Sequence, residues 1–154
     1  MNNRDISFMR QALALANEAS DLGEIPVGAL VVSREGNVVA SAYNLRENEK
    51  SAIAHAEILA IEKACKELGG WRLNGCTLYV TLEPCPMCAG ALVNSRIERV
   101  VFGAYDMQAG CCGSVINFNA YPFNHAFVIE GGVLEDECRE LLVNFFDSKR
   151  KERI

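Results

Sequence analysis

Apolar residues at Ile6, Met9, Leu13, Ala16 and Ala19 recur at helical spacing, which predicts a helix from Asp5 to Leu22 with Gly23 as its stop. Two short β-rich runs follow, Val27 to Ser33 and Val38 to Tyr43, joined by Arg34-Glu35-Gly36-Asn37, a turn sequence suited to a hairpin. A polar loop from Asn44 to Ser51 leads into a second helix, about Ala54 to Leu68, closed by Gly69-Gly70. Cys76 to Leu82 reads as a strand. Glu83-Pro84 then opens a helix that runs to about Ser95, and Arg99 to Gly103 is a further strand. Ala109 to Gly113 is a Gly- and Cys-rich loop, and Ala126 to Ile129 a last short strand. Glu135 to about Arg150 is the final helix, with Leu141, Leu142, Phe145 and Phe146 on one face. Strands alternating with helices predict an α/β fold, one mixed sheet covered by helices.

At 154 residues, half of them hydrophobic, the chain has the size and composition of one globular domain, expected to span 1–154 with a basic tail at 149–154. The first residues carry no apolar stretch of the signal-peptide kind, and no apolar run is long enough to cross a bilayer. A cytoplasmic protein without a membrane partner is therefore expected. The seven cysteines are an odd number, which favours reduced thiols over a disulfide framework. A net charge of −5 argues against indiscriminate nucleic-acid binding but leaves room for a local basic surface.

With two histidines in the chain, any imidazole-dependent chemistry must use His55 or His125. Cys85-Pro86-Met87-Cys88 stands where a strand gives way to a helix. Residues three apart share a helix face, so both sulfurs can reach one ion, and the helix N-terminus favours their thiolate form. His55 falls in the first turn of its own helix, so two helix N-termini can supply three donors to one metal. Glu57, two positions beyond His55, points away from it and is suited to proton transfer beside the metal rather than to binding it. Three protein ligands leave a tetrahedral zinc with one open position, the arrangement of catalytic sites. Two other readings of these residues stay open. A Cys-x-x-Cys opening a helix is also a redox signal, and Cys76, Cys111, Cys112 or Cys138 could complete a structural zinc site.

His55-Ala56-Glu57 with Pro84-Cys85-Pro86-Met87-Cys88 resembles the H-x-E and P-C-x-x-C signature of the cytidine deaminase-like superfamily. Almost the whole chain, from Glu24-Ile25-Pro26-Val27-Gly28-Ala29 to Phe145-Phe146, is more narrowly similar to the bacterial tRNA adenosine deaminases. That resemblance implies a five-stranded mixed sheet, one zinc per chain on His55, Cys85 and Cys88, and Glu57 as the catalytic acid–base. It also implies a homodimer that converts adenosine to inosine at the wobble position of a tRNA anticodon stem-loop. Asn44, Asp106, Asn124, Phe146 and Arg150 are then the contacts to the flipped nucleoside or the anticodon loop. Gln108 and Ala126 stand where the family commonly carries a lysine and an arginine, so positive charge is missing there.

Without the resemblance, Asn44 and Asp106 read as turn residues and His125 as a hydrogen-bonded structural histidine. Leu141, Leu142 and Phe145 read as core, and Lys149 to Arg153 as a solvated tail. The zinc motif is common to deaminases of free bases and nucleotides, so a guanine or cytosine deaminase is the alternative enzyme. A non-catalytic zinc-stabilised binding module is the alternative outside catalysis.

Overall fold

The computed structural model describes residues 2–152. Its elements are α1 (Asn3–Asp21), β1 (Gly28–Val32), β2 (Val38–Tyr43), α2 (Ala56–Leu68), β3 (Thr77–Leu82), α3 (Pro86–Asn94), β4 (Arg99–Ala104), β5 (Val128–Glu130) and α4 (Glu135–Glu152). The five strands form one sheet in the order β2-β1-β3-β4-β5. β1 is antiparallel to both β2 and β3, whereas β3, β4 and β5 run parallel. This is the mixed five-stranded α/β fold that the hydrophobic pattern and the resemblance imply. Arg153, at the end of the expected basic tail, lies outside the described residues.

β1, β3 and β4 read as continuous apolar runs because they are buried on both faces. Alternate side chains serve two cores. Ala29, Val31, Leu78, Val80, Val100 and Phe102 face α2 and α3, together with Ala56, Ala60, Ala64, Leu92 and Val93. Leu30, Val32, Tyr79, Val101 and Ala104 face α1 and α4, together with Met9, Ala12 and Cys138. The alanines of α1 and α2 allow the helices to lie close on the sheet. Gly69 ends α2 in the left-handed conformation, φ 75°, which a residue without a Cβ adopts freely.

Register decides where chemistry can assemble. Tyr43 lies opposite Gly28, Ala29 opposite Val80, and Leu82 beside Ala104. Because β2 and β3 both run antiparallel to β1, they point the same way. The chain therefore leaves β2, β3 and β4 at one sheet edge, where Asn44, Glu83 and Asp106 follow. α2 and α3 start from that edge, the usual location of ligand sites in open α/β sheets.

Two expectations are corrected. The last strand begins at Val128 rather than Ala126. On α4, Cys138 is the buried residue and Leu142 packs against the core, whereas Leu141 and Phe145 are only half-buried. The narrow stripe from Cys138 to Leu142 meets the sheet, and the C-terminal half of the helix runs past it.

On the α1 side, Asp5 is buried and accepts hydrogen bonds from Tyr79 Oη at 2.7 Å and from both terminal nitrogens of Arg99, at 3.0 and 2.6 Å. Arg99 also meets Glu130 at 2.7 Å, tying β4 to β5 and to α1. The hydrogen bonds from Arg99 hold the Asp5 carboxyl below its ordinary value of 3.8, against the opposing effect of burial. A carboxyl depressed on folding stabilises the protein above its unfolded value and loses that contribution as pH falls through the folded one. Asp5→Asn should therefore lower stability by roughly 2 kcal/mol at neutral pH. In urea titrations at pH 7 and pH 3 the gap between the two proteins should shrink at the lower pH; an equal gap at both would assign the loss to packing.

Candidate active site and metal centre

His55 and Cys85 are the N-cap residues of α2 and α3, and neither side chain caps its own helix. Both helices thus begin two or three residues later than the periodicity suggests, with Pro86 at the first position of α3. An N-cap side chain that ignores its own helix is free to turn aside. Here both turn toward each other. Cys88, one turn into α3, is fully buried and completes the group.

The Cys85 and Cys88 sulfurs lie 3.6 and 3.5 Å from His55 Nδ1. All three donor atoms fall within 4.8 Å of one another. Tetrahedral zinc with bonds of about 2.3 Å to sulfur and about 2.0 Å to nitrogen separates sulfur from nitrogen by about 3.5 Å. The donor set and its spacing therefore fit zinc. Among the described residues, none of Cys76, Cys111, Cys112 or Cys138 joins this group, and all seven cysteines are free thiols. A hydrogen bond from Cys88, with help from His55, holds the Cys85 thiol down to about 4. Cys88 is pushed up by giving that hydrogen bond and by burial. The His55 imidazolium is favoured chiefly by its hydrogen bond to Cys85.

A cavity of about 180 Å³ opens beside this group, with His55, Cys85, Glu57, Asn44, Arg46 and Asp106 in its wall. Ile25, Val27, Leu82 and Ala109 add apolar surface. Glu57, at the second position of α2, is buried and stands outside the metal-binding group. Burial pushes its carboxyl up to about 7, against the hydrogen bond from its own backbone N–H. A carboxyl poised there can both accept and give a proton near neutral pH.

The loops that wall the cavity are pinned by two buried carboxylates that the sequence reading left without a role. Glu24 accepts hydrogen bonds from Glu47 N at 3.1 Å and from Asn48 N and Nδ2, both at 2.7 Å. Glu83 accepts from Asp106 N at 3.0 Å, Cys112 N at 3.0 Å, Ser114 N at 3.1 Å and Ser114 Oγ. Gly110 packs so closely on the Glu83 carboxylate that a Cβ there would collide with it. A charge interrupting an apolar stretch was the available signal for both. Arg46, in the cavity wall, had none.

The remaining expected contacts divide. Asn44 lines the cavity; its Nδ2 donates to Ile25 O and its Oδ1 accepts from Arg46 N, each at 3.2 Å. A side-chain amide has two donor hydrogens, so the second can still address a ligand. Asp106 also lines it while Oδ1 caps a turn through Gln108 N and Ala109 N, at 3.0 and 3.1 Å. Phe146 lies in an adjoining groove of about 500 Å³. Arg150 lines neither space and is paired with Asp147 on the exposed surface of α4. Asn124 is exposed beside His125, whose Nε2 donates to Ile97 O at 2.6 Å near the opposite sheet edge. His125 is thus the structural histidine expected. Ala126 borders a cleft at that same far edge, with Arg34 and Arg96.

The family profile for the cytidine and deoxycytidylate deaminase zinc-binding region matches residues 2–104. The chain is 52% identical over 151 residues to a tRNA-specific adenosine deaminase of Bacillus subtilis (strain 168), covering 97% of this chain and 93% of that one. Among solved structures it resembles one from work on A-to-I editing by tRNA:A34 deaminases, with TM-score 0.85 and 42% identity over 88% of this chain and 99% of that one. It also resembles a guanine deaminase from Nitrosomonas europaea, with TM-score 0.74 and 26% identity over 89% and 81% of the two chains.

Two measurements test this architecture. Metal analysis of the purified protein should find one zinc per chain, and Cys88→Ser should lose zinc and thermal stability together. Glu83→Gln replaces an all-acceptor group with an amide whose NH₂ must face backbone N–H donors, at roughly 1–3 kcal/mol. That variant should keep its zinc but unfold at lower denaturant; undiminished stability would show that Glu83 does not pin the loop.

Proposed function

The chain belongs to the cytidine and deoxycytidylate deaminase family and, within it, to the tRNA-specific adenosine deaminases; from that premise we propose that it hydrolyses adenosine to inosine at the wobble position of a tRNA anticodon. The observation that carries the chemistry is a buried, near-neutral Glu57 in the same cavity as a three-donor group spaced for zinc. The substrate rests on similarity over nearly the whole chain: 52% identity across 97% of it to a tRNA-specific adenosine deaminase, against 40% identity across 68% of it to a guanine deaminase of Bacillus subtilis.

His55 Nδ1 and the Cys85 and Cys88 sulfurs would hold the metal. Zinc, when bound, supplies Lewis-acid activation of the attacking water. Glu57 accepts a proton from that water as its oxygen adds to C6 of the purine, and delivers the proton to N1. The carboxyl then takes the remaining proton from the oxygen added at C6 and gives it to the departing amine, so that the C6–N bond breaks as the carbonyl forms and water and adenosine become inosine and ammonia. Ile25, Val27 and Leu82 keep bulk water from the base. Asn44 and Asp106 set the cavity's shape and orient the nucleoside, while Phe146 offers an exposed ring to a neighbouring base in the adjoining groove.

We read the protein as a homodimer acting in the cytoplasm, where its substrate is found. Tyr121 and Phe123 are exposed, and the Phe123 ring lies 5.4 Å from that of Phe118 and 6.2 Å from that of Tyr121, an apolar patch suited to a second copy. Asn124 lies beside that patch and away from its own cavity, so a contact to RNA from Asn124 would be made across the dimer. Among the described residues no helix is long and apolar enough to cross a membrane.

An anticodon stem-loop with adenosine at the wobble position should be converted to the inosine form. Glu57→Gln should retain zinc and fold while losing at least about 10² to 10⁴-fold in rate. Loss of zinc from that variant would make Glu57 a ligand. Rapid deamination of free guanine with an untouched stem-loop would reassign the substrate.

A further inference from the structure

We infer that Arg46 is the phosphate anchor of this site, holding the phosphodiester that joins the reacting nucleoside to its neighbour and thereby selecting polynucleotide over free base. The inference rests on the tRNA reading above and adds a residue and a contact to it. Among the described residues, Arg46 is the only lysine or arginine in the wall of the metal cavity. It is also in the wall of the adjoining groove, with Phe145, Phe146 and Lys149. Ile25 and Asn44 are shared by the same two spaces, so cavity and groove are continuous through the point where Arg46 stands. A strand of nucleic acid with one base in the cavity and the next against Phe146 must pass its linking phosphate across that point.

The backbone that carries Arg46 is held in place. Arg46 N donates to Asn44 Oδ1 at 3.2 Å, and Arg46 O accepts from Ser51 N at 3.0 Å. The next two residues are clamped by Glu24. The side chain is exposed, and it belongs to no ion pair among the described residues. Its competitors are engaged. Lys149 Nζ lies 3.6 Å from Glu152 and 5.5 Å from the Phe145 ring centroid, while Arg150 is paired with Asp147. An arginine fork carried on an anchored loop can match phosphate oxygens in a bidentate fashion. Two carboxylates also face the groove. Glu24 is saturated by N–H donors, whereas the exposed Glu47 opposes an anion and weakens the site.

The test is the binding of a wobble-adenosine anticodon stem-loop to the full-length, zinc-loaded protein in a Glu57→Gln background, measured at several salt concentrations. Arg46→Ala should weaken binding about tenfold and reduce the salt slope by about one phosphate contact. Arg46→Lys should keep the slope, since it keeps the charge. Glu47→Gln should tighten binding, and Lys149→Ala or Arg150→Ala should change the slope less than Arg46→Ala does. An unchanged slope in Arg46→Ala, or a larger loss in Lys149→Ala, overturns the inference while leaving the tRNA reading intact. A wild-type protein that neither binds nor deaminates the stem-loop overturns both.

Discussion

Two N-cap side chains, the His55 imidazole and the Cys85 thiol, turn away from their own helices and meet with nitrogen and sulfur 3.6 Å apart. That meeting is possible because β2 and β3 run parallel with β1 between them, so that α2 and α3 start from one sheet edge. The partial positive charge of two helix N-termini accumulates there and favours thiolate. The buried Cys88 closes the group from beneath, and the cavity lies on the other side. Glu57 reaches the same cavity from the second position of α2 without competing for the metal.

Carboxylates divide into two kinds around this centre. Glu24 and Glu83 are surrounded by N–H and O–H donors and act as rigid cross-links for the loops after β2 and β4. Glu57 sits in a drier setting, and burial drives its carboxyl toward the neutral form. The same functional group is a clamp in one environment and a proton carrier in the other, because hydrogen bonds to the charged form and desolvation act in opposite directions. Among the described residues a single guanidinium, that of Arg46, lines the cavity beside these acids. A chain of net charge −5 can therefore meet RNA through a few placed cations rather than through its overall field.

Much was legible in the sequence. Period and punctuation located the strands and helices to within a few residues, because β1, β3 and β4 are continuous apolar runs and the helices are bounded by glycine or proline. The spacing of Cys85 and Cys88, with His55 and Glu57 two apart, already separated metal donors from proton carrier, because side-chain direction along a helix is a local property. The starts of α2 and α3 were less legible: an N-cap residue is defined by its backbone conformation, which composition does not reveal. The half-burial of Leu141 and Phe145 was hidden for a related reason, since periodicity shows a face without saying how far the sheet extends beneath it.

Tertiary structure alone decided the rest. It brought His55 to Cys85 across thirty residues of chain, a distance that strand order and register close and no local pattern encodes. Glu24 and Glu83 became buried clamps because the backbone N–H groups they accept from lie on loops remote in sequence. Arg46 acquired its place between cavity and groove because α4 brings Phe145 and Phe146 alongside the loop after β2. Asn124 and Arg150, equally plausible as letters, fell outside both spaces in the single chain. Local sequence set the chemistry available at each position, and long-range packing set which of those groups share a volume, because that depends on contacts between residues far apart along the chain.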